Sequence, residues 1–327
     1  MRTARLTLAL DTGSLHLPPS GMIAVYAPQA GDDLSALPEG RVIVLTGFKP
    51  DHDRFARDFP VTPAPPYAAA VVCLPRTREG ARALLAQAAA EVVAGGLIVV
   101  DGQKTDGIDT ALKDLRARVG LSESVSKAHG KLASFVAGPE LSDWAARPRQ
   151  IAGGFQTLPG IFSADGPDPA SMLLAGALPE KLSGKVADLG AGWGYLARAI
   201  LTHPGVKRLD LVEADADALA ASRMNITDER AMFHWADATT FRPATLLDVV
   251  VMNPPFHGGR AADPGLGVAF IQAARRMLAP NGALWLVQNR HLPYDAALSD
   301  AFLEHREVAG TGGFRVVHAI KPRRAKP

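Results

Sequence analysis

Lys185-Val186-Ala187-Asp188-Leu189 is a short apolar run that leads directly into Gly190-Ala191-Gly192-Trp193-Gly194, and a helical stretch begins at Tyr195. Strand, glycine loop and helix in that order open a strand–helix–strand unit. Glycines in such a loop let backbone N–H groups approach a ligand closely, at φ/ψ values other residues avoid. A dinucleotide-binding loop needs a third small residue in the G-x-G-x-x-G frame. Counted from Gly190, that place holds Tyr195. The spacing found is G-x-G-x-G with an acid, Asp188, ahead of it, which favours a sulfonium-nucleoside site over a pyrophosphate site. Taken alone, the loop reads equally well as a structural turn.

Outward from the loop, the pattern of strand and helix continues. Strands are expected at 185–189, 209–213, 232–235, 247–252, 283–287 and 314–320, with helices at 195–201, 214–225 and 267–278. Such alternation predicts an α/β fold, a mostly parallel sheet with helices on both faces. Ligands of these sheets bind beyond the carboxyl ends of the strands. The first half reads as a worn copy. Residues 40–47 stand where the second half has 184–192, Val71-Val72-Cys73-Leu74-Pro75 parallels Val250-Val251-Met252-Asn253-Pro254, and 95–104 parallels 281–290. Neither the glycine loop nor Asn253-Pro254-Pro255-Phe256 recurs, so the first half lacks the residues that would do chemistry. Any two α/β halves share strand–helix–strand order, and that simpler account stands beside duplication.

Three further positions carry chemistry. Glu213 ends the strand after the glycine loop, where a carboxylate can accept both ribose hydroxyls of a nucleoside. Asp237 follows the next strand and can accept from an adenine amino group; it reads equally as a helix N-cap. Asn253-Pro254-Pro255-Phe256 follows the strand at 247–252. Two prolines fix the backbone and carry no N–H, so nearby carbonyls stay free to accept. Together with the Asn253 side-chain carbonyl they can accept both hydrogens of a planar amino group and aim its lone pair at an electrophile. Phe256 offers a flat face for a base. The competing account is a strand-ending turn with a core phenylalanine.

Of the 327 residues, 47% are hydrophobic and 21% charged, and Lys and Arg (35) nearly balance Asp and Glu (33). This is the balance of a globular enzyme; it excludes a polybasic chromatin-type protein but leaves room for a local nucleic-acid groove. Cys73 is the single cysteine, which excludes an intramolecular disulfide and a cysteine zinc site and suits a reducing, cytoplasmic setting. The nine histidines have no metal-binding spacing, so no metal is expected. The apolar run after Arg5 stops at Asp11, too short for an export signal, and no stretch is long enough for a membrane span.

The second half resembles class I S-adenosylmethionine-dependent methyltransferases, and within them the bacterial 16S rRNA guanine-N2 methyltransferases. The likeness is carried by Gly160-Ile161-Phe162-Ser163-Ala164-Asp165-Gly166-Pro167-Asp168, the glycine loop, Asn253-Pro254-Pro255-Phe256-His257-Gly258-Gly259, Leu292-Pro293-Tyr294 and Gly313-Phe314-Arg315-Val316. Pro167 departs from the leucine common in the family. In the first half, 101–108 and Lys127-Ala128-His129-Gly130-Lys131 match the family's degenerate methyltransferase-like domain. The resemblance implies a Rossmann-like fold with a mostly parallel seven-stranded sheet, preceded by a degenerate copy. It places that copy, without a cofactor loop, at 1–145, a linker at 146–162 and the catalytic domain at 163–327.

It further implies that S-adenosyl-L-methionine is the cofactor, with Asp188, Gly190 and Gly192 along its methionine end, Glu213 on the ribose and Asp237 on the adenine. Asn253, Pro254 and Phe256 would be catalytic, with Asn253 also at the cofactor. The expected partner is ribosomal RNA or the small ribosomal subunit, and the protein is expected to be a monomer. Methylation of 23S rRNA guanine-N2, adenine-N6 or protein glutamine-N5 uses the same Asn-Pro-Pro-aromatic device. A non-catalytic RNA-binding assembly factor, leaning on the basic tail Lys321-Pro322-Arg323-Arg324-Ala325-Lys326, is the alternative from another class.

Overall fold

The computed structural model describes residues 2–255, 257–258, 261–262 and 264–324. Two compact units divide the chain: Met1–Pro148 with Leu158–Gly160, and Arg149–Thr157 with Ile161–Pro327. No described helix is long and apolar enough to cross a membrane.

The first unit runs α1 (Arg2–Asp11), β1 (Ile23–Tyr26), β2 (Val42–Leu45), α2 (Lys49–Phe55), β3 (Tyr67–Cys73), α3 (Arg78–Glu91), β4 (Val92–Gln103), α4 (Ile108–Arg116), β5 (Val125–Lys127) and β6 (Gly130–Val136). Its strands form one sheet in the order β2-β1-β3-β4-β6-β5. Pairing is parallel from β2 to β4 and antiparallel at β6 and β5.

The second unit opens with a small antiparallel pair, β7 (Arg149–Gln150) and β8 (Gln156–Thr157), so the segment expected to be a plain linker carries a hairpin. Then follow α5 (Pro169–Ala177), β9 (Ser183–Leu189), α6 (Tyr195–Leu201), β10 (Gly205–Glu213), α7 (Ala216–Asn225), β11 (Ala231–Trp235) and β12 (Leu247–Met252). After the two-residue strands β13 (His257–Gly258) and β14 (Ala261–Ala262) come α8 (Pro264–Met277), β15 (Leu278–Asn289), α9 (Asp295–Ala301), β16 (Phe302–Gly310) and β17 (Phe314–Pro322). The main sheet has seven strands in the order β11-β10-β9-β12-β15-β17-β16. Pairing is parallel from β11 to β15 and antiparallel at β17 and β16, the architecture expected from the sequence.

Alternation along each central strand builds two cores. Val250 and Met252 of β12 face Phe270 and Ile271 of α8, while Val249 and Val251 face the side holding Leu174 of α5 and Ala197 of α6. The part of a central parallel strand that is buried on both faces is apolar, which is why β12, past the exposed Asp248, runs Val249-Val250-Val251-Met252.

The strand orders correct the internal alignment drawn from sequence. β1 lies between β2 and β3 as β9 lies between β10 and β12. The counterpart of the glycine-loop strand is therefore Ile23–Tyr26, and the strand within 40–47 is the counterpart of β10. The pairings of β3 with β12 and β4 with β15 stand.

Candidate active site

From β9 the chain steps outward through β10 and β11, then returns to the other side of β9 with β12. The reversal leaves a crevice at the carboxyl ends of β9 and β12, the place where open α/β sheets hold ligands. The glycine loop leaves β9 on one side and Asn253 leaves β12 on the other. A cleft is lined by Gly190, Gly192, Trp193, Asn253, Asp168, Ser171 and Phe162, among others.

Gly190, Gly192 and Gly194 take φ of 74°, 55° and 95°, the left-handed region that a side chain resists. The use of their N–H groups differs from expectation. Gly190 and Ala191 both donate to the Val212 carbonyl, at 2.9 and 3.2 Å, and Gly194 donates to Ala191. Gly192 donates to Glu213 Oε2 at 2.7 Å. These amides are spent on tying the loop to β10 and, at Gly194, on closing the loop on itself. What the glycines give a ligand is room: a Cβ on Gly192 would meet nothing within 4 Å. Phosphate cradles need free N–H groups, so the loop's chemistry is against a pyrophosphate.

Acids surround the loop. Asp188 is fully buried on the α5–α6 side of β9, and neither carboxylate oxygen has a hydrogen-bond partner among the described residues. Burial first, then the nearby Glu213 charge, push it up to about 8; the Ala197 backbone exerts a lesser opposite pull without completing a hydrogen bond. Glu213 is also raised, chiefly by burial, although it accepts from Gly192 and, through Oε1, from Asp215 N–H at 2.8 Å. Partial desolvation raises the half-buried Asp215 and the more exposed Asp217 as well. Several desolvated carboxyl groups around one open loop make an environment that a cationic ligand would relieve.

Asp237 follows β11 at the same edge of the sheet. Its Oδ1 accepts from both the N–H and the hydroxyl of Thr239 at 2.7 Å, which is the local turn-capping use. It is not among the residues lining the cleft. Trp193 is buried against Phe155 (ring centroids 4.8 Å, edge-on), and its carbonyl accepts from Asn225 at 2.8 Å. Pro254 is buried and Pro255 exposed. Phe256 lies outside the described residues. Among the described residues no group of three His, Cys, Asp or Glu side chains is placed to hold a metal ion.

Asn253 is the best-defined polar group in the cleft. Its Nδ2 donates to Asp168 Oδ2 at 2.9 Å and to Ser171 Oγ at 2.8 Å. Its Oδ1 is buried and has no partner among the described residues. Asp168 and Ser171 had no assigned role in the sequence reading. The signal for them was an N-cap: Asp168 precedes Pro169 at the start of α5, and its Oδ2 accepts the Ser171 N–H at 2.8 Å. Phe162, 66% exposed on the cleft rim, belongs to the 160–168 stretch and carries no chemical signal of its own in the sequence.

The methyltransferase small domain model matches residues 152–318. A ribosomal RNA small subunit methyltransferase C of Klebsiella pneumoniae is 37% identical over 172 residues, covering 52% of this chain and 50% of that protein. The protein of the same name from Salmonella choleraesuis is 34% identical over 187 residues, covering 57% and 55%. The chain thus spans about half the length of the curated relatives it matches. A solved structure, the T. thermophilus 16S rRNA N2 methyltransferase (RsmC) in complex with AdoMet and guanosine, superposes with a TM-score of 0.80 at 26% identity. That match covers 98% of this chain and 91% of the other.

Proposed function

The chain belongs to the methyltransferase small domain family, and from that membership we propose that it transfers a methyl group from S-adenosylmethionine to the exocyclic N2 amine of a guanine in 16S rRNA. The observation that carries the reading is the Asn253 Oδ1: a buried acceptor with no partner among the described residues, at the edge of a cleft between β9 and β12. Burying such an acceptor unpaired costs about 1–3 kcal/mol, and a donor from the substrate would remove that cost.

The residues present fit the cofactor. The open face at Gly192 gives it room, and the buried Asp188 and half-buried Glu213 suit its positive charge. Asp188, Gly190 and Gly192 would lie along the methionine end, and Glu213 would take the ribose hydroxyls with lone pairs not used by Gly192 and Asp215. Asp237 would reach the adenine amine with whatever Thr239 leaves free. When bound, S-adenosylmethionine supplies an electrophilic methyl group.

The chain's own part is to position the acceptor. A base inside a helix cannot enter a cleft, so the target nucleotide must leave its stack. Asn253 Oδ1 accepts one amine hydrogen and a main-chain carbonyl at the Pro254 turn accepts the other. Held that way, the nitrogen lone pair turns out of conjugation with the ring and toward the cleft. The amine proton is acidified once nitrogen is alkylated and leaves to water, so no strong base is needed. Phe256 is assigned to stacking on the base. The first unit, with no glycine loop after β1, is assigned to RNA positioning or folding support. The enzyme works in the cytoplasm as a monomer without a metal.

The test is transfer from labelled S-adenosylmethionine to rRNA and subunits from an unmodified strain, with nucleoside mass spectrometry. N2-methylguanosine in small-subunit RNA is expected, and Asn253→Ala should lose most of it. N6-methyladenosine, or label in protein alone, would replace the substrate. Tight cofactor binding with no transfer would point to an assembly factor.

A further inference from the structure

A carboxamide turned half a circle about its last bond exchanges its oxygen with its NH2, so Asn253 needs something to decide which one faces the cleft. Asp168 Oδ2, at 2.9 Å, and Ser171 Oγ, at 2.8 Å, both sit beside Nδ2. An ionised carboxylate only accepts, so the reversed amide would press its oxygen lone pairs against it. Asp168 is itself held in place: the same Oδ2 accepts the Ser171 N–H at the first turn of α5, and Pro169 stiffens that turn. With both Nδ2 hydrogens taken, Oδ1 is left as the group without a partner among the described residues.

We propose that Asp168, with Ser171, is a positioning residue that fixes the Asn253 carboxamide with its oxygen toward the methyl acceptor. The inference rests on the methyl-transfer reading of the same cleft. Helix capping accounts for the bond from Ser171 N–H to Asp168, but not for the two bonds that Asn253 makes.

Four variants of the full chain separate the two roles. Asn253→Asp sets a second carboxylate beside Asp168, and kcat should fall about 100-fold, the scale expected of a displaced reacting group. The double variant Asn253→Asp/Asp168→Asn removes the like charge: an amide nitrogen in the place of Asp168 Oδ2 can donate to the new carboxylate, at the expense of the cap on Ser171 N–H, and the Ser171 hydroxyl can turn to donate as well. It should recover about tenfold of the lost kcat, a rescue that a capping role alone does not produce. Asp168→Ser keeps a cap but is too short to reach Asn253. Its kcat should fall while the cofactor KM and thermal midpoint hold. Ser171→Ala should give a smaller loss of the same kind.

A second readout needs no substrate. The Asn253 carboxamide protons, assigned by NMR from their loss in Asn253→Asp, should exchange slowly in the wild type and quickly in Asp168→Ser. If the wild type methylates but the double variant is no better than Asn253→Asp, the positioning role is overturned. Unchanged carboxamide exchange in Asp168→Ser overturns it as well. If the wild type methylates nothing, the proposed function fails, and the exchange measurement still decides the role of Asp168.

Discussion

At Asp188 the chain keeps an acid where an apolar side chain would pack more cheaply, and its protonation links stability to pH. The carboxyl group is raised from about 3.8 to about 8 in the folded protein, by burial and by the charge of Glu213. Below about pH 4 both folded and unfolded chains hold the proton and there is no penalty. As pH rises toward 8 the unfolded chain releases its proton while the folded one keeps it, so stability contributed by this group is lost across that window. Asp188→Asn has no such slope. In thermal unfolding without ligand, the variant should gain on the wild type from pH 4 to pH 8, and a constant difference would refute the assignment. A cation bound near the loop favours the charged form, so cofactor binding below pH 8 should release a proton. Calorimetry in buffers of different ionisation enthalpy reads that release. Such residues were legible because strand, acid and glycines lie next to one another in sequence. Asp168 was not, because its partner Asn253 is 85 positions away, and only the fold brings them together.

Elements with one strong local signal were readable, and those defined by neighbours were not. The helix Tyr195–Leu201 and the strand Leu247–Met252 lie where the apolar pattern puts them. The strand Phe302–Gly310 was missed because it is an edge strand rich in charge, including Glu304, His305, Arg306 and Glu307, the composition that keeps edges from pairing further. Its identity comes from antiparallel pairing with β17. A tighter constraint is hidden in α8. Gly267 faces the fully buried Tyr294, and a Cβ there would stand 1.8 Å from the Tyr294 hydroxyl. In an open helix, Gly→Ala gains about 1 kcal/mol. Here the overlap costs about 1–3 kcal/mol, and the enclosed ring has nowhere to retreat, so packing wins. Gly267→Ala should lower the midpoint of denaturant unfolding despite its better helix propensity. Gly267→Ala combined with Tyr294→Phe, which removes the nearest clashing atom but leaves the ring carbon Cζ 2.2 Å from the new Cβ, should recover only part of the loss.

Two sheets of related strand order deal with their carboxyl edges in opposite ways, and this distinction was only half visible in the sequence. The missing glycine loop showed that the first half was different, but runs such as Val42-Ile43-Val44-Leu45 carry no mark of which strands flank them. In the second unit the edge has room at the glycine loop and, at Asp188, an acid with no hydrogen-bond partner among the described residues. In the first unit, α1 lays Arg5 over the edge. Its guanidinium donates to both oxygens of Asp101 at the end of β4, at 2.8 and 2.7 Å, and to the Lys127 carbonyl at 3.1 Å. Arg2 approaches Asp32, Asp101 and Asp106 at 3.5–3.9 Å. Arg5 is 0% and Asp101 2% exposed. Burial still holds the Asp101 carboxyl above its usual range despite these cations, so desolvation outweighs what the pair returns. The pair therefore matters for what its loss would leave behind more than for net gain. Asp101→Ala strands a buried guanidinium and should cost about 3–5 kcal/mol. The double replacement Arg5→Met/Asp101→Leu removes both charges of this pair, leaves Arg2 beside Asp32 and Asp106, and should recover most of that loss. Denaturant unfolding, with hydrogen exchange locating the change in the first unit, measures both. If the double variant is no more stable than Asp101→Ala, the ion pair is a true stabiliser of this edge and the desolvation argument fails.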